Sequence, residues 1–195
     1  MLKSVFIIES VSPDDFYERR ADGHAANEIL KILGVMTEYR IAFTRDLVSR
    51  AIAEAVDGDF EVLHFSSHGS DEGVSLTSGK GFDWKEFAEL VKPFSNESRK
   101  LVMATCGGGD VKLAKALASQ RAIYGWVFGS TADRVSFSDT CLAWSVLYNR
   151  LYDHGFSKDA LQPTLSAING AIEGDFVYRR WDGSKFRRHP KKSTS

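Results

Sequence analysis

The chain has 195 residues, 43% hydrophobic and 26% charged, which suits one globular domain with a full core. That balance excludes a disordered or low-complexity chain, and no apolar run is long enough to cross a bilayer. The formal net charge of -1 hides an asymmetry: past Asp175, Arg179, Arg180, Lys185, Arg187, Arg188, Lys191 and Lys192 face only Asp182, so the body before them is acidic. The only cysteines, Cys106 and Cys141, are too few for a disulfide framework and point to a reducing compartment. Met1 to Ser10 meets Glu9 early and lacks a small-residue cleavage region, so it reads as a strand and not a signal peptide. The expectation is a cytoplasmic protein with no membrane partner.

Strand and helix patterns alternate along the chain. Val5 to Ile8 is a short continuous apolar run, the pattern of a strand covered on both faces. A helical pattern follows through Ala25, Ile29, Leu30 and Leu33, ended by Gly34. Val35 to Phe43 reads as a second strand, and Thr44 caps a helix carrying Leu47, Val48, Ala51, Ile52 and Ala55. Phe60 to Phe65 is a third strand. A small hairpin with its tip near Ser78 leads to a helix over Phe82 to Val91, with Asp83 as cap. Leu101 to Thr105 is a fourth strand, followed by a helix from Val111 to Ser119 and a strand from Ala122 to Phe128. Two helices, Ser138 to Asp153 and Lys158 to Ile172, complete the body. The alternation predicts a mainly parallel sheet with helices on both faces, an α/β fold. Phe176 to Trp181, Asp182-Gly183 and Ser184 to Arg188 then read as a C-terminal β-hairpin, whose basic and aromatic residues suit a solvated edge.

Ligands of an open α/β sheet bind beyond the carboxyl ends of its strands. The third strand runs out through His64 and Ser66-Ser67 to His68-Gly69. The fourth ends at Cys106, followed by Gly107, Gly108 and Gly109. Neighbouring strands lie about 4.8 Å apart, so the two loops can hold an imidazole and a thiol around one peptide bond. A cysteine at neutral pH needs such a base, or a positive environment, to be mostly thiolate. Either residue alone reads as structural; together, each after a buried strand and each before glycine, they read as catalytic. The N–H groups of Gly69 and Cys106 are candidates for an oxyanion hole. No clustered ligand pair favours a metal, and the chemistry calls for no cofactor. Ser78-Gly-Lys80-Gly lacks the spacing of a phosphate-binding loop.

The stretches "VLHFSSHGSDEGVSLT" and "KLVMATCGGG" resemble the caspase–hemoglobinase superfamily of cysteine peptidases (clan CD), most closely the CHAT domains related to caspases and separase. The resemblance implies a caspase-like three-layer αβα sandwich and a Cys-His dyad, with His68 as catalytic histidine, Cys106 as nucleophile and Gly69 beside the oxyanion hole. His64 matches a position where CHAT proteins often carry histidine, and it reads as a packed structural residue. The loop after the first strand carries Asp14, Asp15 and Glu18 where caspases use arginine, and the Gln-Ala-Cys-Arg-Gly form is absent, so cleavage after aspartate is not implied. "GWVFGSTADRVSFSD" resembles the separase and CHAT segment whose acidic residue recognises a basic side chain, which places Asp133 as a substrate-binding candidate, with an aspartate paired to Arg134 as the alternative.

The division that follows is a peptidase domain over residues 1–175, a hairpin extension over 176–188 and a basic disordered tail over 189–195. The functional expectation is an endopeptidase cutting protein or peptide substrates after a basic residue, controlled by a regulatory partner or activator, and by analogy acting in defence or cell death. Direct nucleic-acid binding is not expected. The alternatives are a catalytically silent caspase-like binding module and, behind it, a phosphate-binding domain using Gly107 to Gly109.

Overall fold

A strand that is apolar on both sides needs cover on both faces, and every residue of β1 (Ser4–Ser10) is buried. The structure, a computed structural model, describes residues 1–190. After β1 come α1 (Pro13–Tyr17), α2 (Asp22–Ile32), β2 (Met36–Ile41), α3 (Arg45–Asp57) and β3 (Val62–Gly69). A small hairpin of β4 (Gly73–Ser75) and β5 (Phe82–Asp83) leads into α4 (Trp84–Val91). Then follow β6 (Lys100–Ala104), α5 (Val111–Ser119), β7 (Trp126–Ser130), α6 (Phe137–His154), α7 (Lys158–Ala171), β8 (Phe176–Trp181) and β9 (Phe186–His189).

The main sheet runs in the order β2-β1-β3-β6-β7-β8-β9. The first five of these strands are parallel, and β8 and β9 close the end as an antiparallel hairpin. Alternation along each strand sorts the side chains into two cores. Phe6, Leu63, Phe65, Leu101 and Met103 pack under α3, α4 and α5. Val5, Ile7, Val62, Val102 and Phe128 pack under α2, α6 and α7. This is the three-layer α/β sandwich with a mainly parallel sheet that the sequence predicts. No helix among the described residues is long and apolar enough to cross a membrane.

The caps behave as read. Thr44 accepts from Leu47 N, and Asp83 and Glu86 form a reciprocal capping box. Several boundaries differ from expectation. The third strand continues past Phe65 to Gly69, because buried Ser66 is held by Glu9 and Asp22 and β4 extends the ladder opposite His68 and Gly69. The fifth long strand begins at Trp126 and not at Ala122, since the preceding turn is held by Tyr124 Oη donating to Val91 O and Gly125 N donating to Arg99 O. The helix α1 was not anticipated. Within the hairpin, β8 lies between β7 and β9 with its first four residues buried, so only β9 is an edge. Of the predicted tail, His189 belongs to β9, and residues 191–195 lie outside the described residues.

Candidate active site

On β3 the period of two places His64, Ser66 and His68 on one face, the side covered by α2 and α6. His64 is fully buried, with Nδ1 2.6 Å from Tyr148 Oη and its ring edge-on to Trp144. Burial pushes its pKa down to about 3, so it is a neutral packing residue, as read from the sequence. His68, two pleats on, emerges at the carboxyl edge of the sheet with its side chain 49% exposed.

His68 has a partner that sequence reasoning missed. Its Nε2 donates to Asp15 Oδ2 at 2.6 Å. Asp15 is nearly buried on α1, a helix started by Ser12 as cap and Pro13 at its first turn. Ser12 Oγ accepts from Asp15 N and donates to the same carboxylate at 2.5 Å, while Arg20 Nε sits 3.2 Å from the other oxygen. Burial pushes the Asp15 carboxyl up, but the hydrogen bonds from Ser12 and His68 and the charge on Arg20 outweigh it, leaving the group below the usual carboxylate range. The Ser-x-x-Asp cap is legible as a helix start; that it lies beside His68 is not.

The thiol is delivered by the turn after β6. Gly107 has φ +73°, and a Cβ there would come 2.6 Å from Ser70 O, so the cysteine turn and the histidine loop touch backbone to backbone. A Cβ on Gly69 would run into the Thr105 side chain and come 2.9 Å from Cys106 O. The N–H groups of Gly107, Gly108 and Gly109 donate to Ala132 O, Thr105 O and Ser130 O. Among the described residues the N–H of Cys106 has no such acceptor, which leaves it available to a developing negative charge. From β8, buried Arg179 donates through Nε to Gly109 O at 2.8 Å, a tie between hairpin and cysteine turn that reading the hairpin as a solvated edge did not foresee. The N-terminus of α5 is capped by Asp110, which accepts from Lys112 N at 2.8 Å. With the N–H groups of Gly107, Gly108 and Gly109 already given to backbone carbonyls, the loop offers a phosphate few free donors, which counts against the phosphate-binding alternative.

His68 and Cys106 line one cavity of about 60 Å³. Its walls come from Ser67 on β3, Met103 to Thr105 on and after β6, Ser130 on β7, Val135 and Phe137 ahead of and on α6, Thr140 and Trp144 on α6, and Phe176 on β8. Phe137 stands edge-on to His68 with ring centroids 5.9 Å apart. Asp133 is not part of the wall: it is exposed in the loop after β7 and forms no ion pair with Arg134 or any other described residue. Asp71, in the loop after β3, pairs with Lys112 in the first turn of α5 at 2.5 Å, both side chains being largely exposed. Cys141, on α6, has its thiol pushed up to about 11 by burial, with Asp22 and Glu9 adding to the effect, so it stays protonated near neutral pH.

Behind the cavity lie two buried carboxyls. Asp22 accepts from Ser66 Oγ at 2.5 Å and from Trp144 Nε1 at 2.8 Å. Glu9 accepts from Tyr39 Oη and from the N–H groups of Gly23 and His24. Burial raises both above the ordinary carboxylate range. Ser66 Oγ is also 3.2 Å from Glu9, and its single proton cannot serve both acids, which favours keeping a proton on one of them.

No protein-family model and no curated protein matches this sequence. Among solved structures the chain is similar to that of a secreted C11 cysteine protease, iotapain, from Bacteroides thetaiotaomicron, with a TM-score of 0.57 and 11% sequence identity. The match covers 92% of this chain and 66% of that one. With the sheet order and layers described above, the likeness establishes the architecture: this chain has a caspase-like α/β fold.

Proposed function

We propose that this chain is a cysteine peptidase in which Cys106 is the nucleophile and His68, oriented by Asp15, is the acid–base group. The observation that supports the reading is the shared cavity, where the thiol and an imidazole bonded to a carboxylate meet at one sheet edge. Asp15 occupies Nε2 of the imidazole and so leaves Nδ1 for the thiol proton. As Nδ1 takes the proton, sulfur attacks the scissile carbonyl, and the resulting oxyanion is met by the N–H groups of Cys106 and Gly69. His68 returns the proton to the leaving amine, and water, deprotonated by the same ring, resolves the thioester. Asp15 keeps one tautomer in place and offsets the positive charge while the ring is protonated.

Within the caspase-like fold we place the chain nearest the CHAT domains on its two quoted motifs. Its substrates on this reading are proteins or peptides, its compartment the cytoplasm, and its activity under the control of a partner or activator in defence or cell death. A preference for a basic residue before the cut would rest on Asp133 alone, which stands off the cavity wall. The test of the reading is a fluorogenic peptide panel on wild type and Cys106→Ala, alongside Cys106 alkylation in wild type and His68→Ala. Cleavage lost in the cysteine variant and alkylation slowed without His68 support it. A Cys106 that alkylates at the same rate without His68, with no cleavage of any peptide, would favour the silent binding module.

A further inference from the structure

The wall beside Cys106 carries information about which peptide bond it faces, if the peptidase reading above, on which this inference rests, is accepted. A side chain next to the attacked carbonyl enters the cavity that His68 and Cys106 share. Besides His68 and Cys106, that cavity is lined by Met103, Ala104, Val135, Phe137, Trp144 and Phe176 and by the hydroxyl residues Ser67, Thr105, Ser130 and Thr140. None of them is charged. A buried cation or anion without a partner costs several kcal/mol, so neither Arg or Lys nor Asp or Glu is matched here. The nearest buried acid, Asp22, is 3% exposed and already accepts from Ser66 and Trp144 through its two oxygens.

Size narrows the choice further. A water needs roughly 10–15 Å³ of such space, so a cavity of about 60 Å³ holds a few waters or a short side chain, not an extended one. We propose that this cavity is the primary specificity pocket and that it selects a small uncharged residue, such as Ala, Val or Thr, before the cut. Val135, just ahead of α6, and Phe137, at its start, line the cavity together with Met103 and Ala104 of β6. This assignment makes Val135, and not Asp133, the residue that decides specificity in the loop after β7.

The test uses the full chain and a set of peptidyl acyloxymethyl ketones that differ only at the residue before the warhead: Ala, Val, Leu, Arg, Lys and Asp. Covalent labelling of Cys106 is followed by mass spectrometry, with iodoacetamide in parallel on wild type and His68→Ala. The expected result is labelling by the Ala and Val probes about a hundredfold faster than by the Arg, Lys and Asp probes. Val135→Ala should raise the rate of the Leu probe relative to Ala by about tenfold. If iodoacetamide labels Cys106 in a His68-dependent way while Arg or Lys probes react fastest, or while no ketone reacts, the pocket assignment is overturned and the peptidase reading stands. Alkylation that does not depend on His68 removes the peptidase reading and this inference with it.

Discussion

Asp15 and His68, 53 positions apart in sequence, meet at 2.6 Å across the carboxyl edge of the sheet. Besides the imidazole, the carboxylate is held by the Ser12 hydroxyl and by Arg20. If this pair orients the general base, Asp15→Ala lowers kcat by about a hundredfold or more while leaving KM and Tm nearly unchanged. A loss of stability equal to the loss of activity would instead make Asp15 a structural cap.

Gly69 separates the histidine from the cysteine turn with no room for a side chain. Gly69→Ala brings a Cβ against Thr105 and within 2.9 Å of Cys106 O, so one of the two loops must shift. Activity on peptides and the rate of Cys106 alkylation should both fall by more than tenfold, because a displacement of about 1 Å can cost a hundredfold. Retention of wild-type rates would mean that the loops yield without moving the reacting atoms.

Arg179 ties β8 to the cysteine turn through Gly109 O. In Arg179→Met the carbonyl loses its donor, and the expected outcome is a lower kcat at constant KM, with part of the loss recovered in Arg179→Lys. A fall in Tm with unaltered alkylation of the folded protein would reduce Arg179 to a packing residue.

Glu9 supplies the pH dependence that can be signed. Burial raises its pKa in the folded chain above the ordinary 4.5, so the folded state holds this proton more tightly than the unfolded chain does. The stabilising contribution is therefore complete below 4.5 and is lost as pH climbs through the raised value. Urea unfolding of wild type and Glu9→Gln between about pH 4 and pH 8 should show the wild-type advantage shrinking as pH rises. A constant difference would mean that Glu9 takes up its proton equally in the folded and unfolded chains, contrary to the raised pKa.

Tyr148 gives the contrasting case. Tyr148→Phe removes the hydrogen bond to buried His64 and leaves a ring nitrogen without a partner, at a cost of about 1–2 kcal/mol. For a chain of this size that is roughly 4 °C in Tm, while peptide cleavage by the folded protein should be unchanged. A selective loss of activity would show that His64 acts in the chemistry.

Much of this protein is written locally in its residues. Apolar runs such as Val5 to Ile8, the caps Thr44 and Asp83, and the order of helices and strands lead to a layered parallel sheet because each depends on near neighbours and on a fixed period. The same reading proposes His68 and Cys106 as the site, since each follows a buried strand and precedes glycine. Tertiary structure decided the rest. Asp15 joins His68 only because β1 lies beside β3, and Arg179 reaches Gly109 only because β8 pairs with β7. Asp133, suggested by its segment, is exposed and not among the residues that line the cavity, whereas Val135 and Phe137 are. Local propensity carries no term for contacts between distant segments, and those contacts are what make two strand ends into one site.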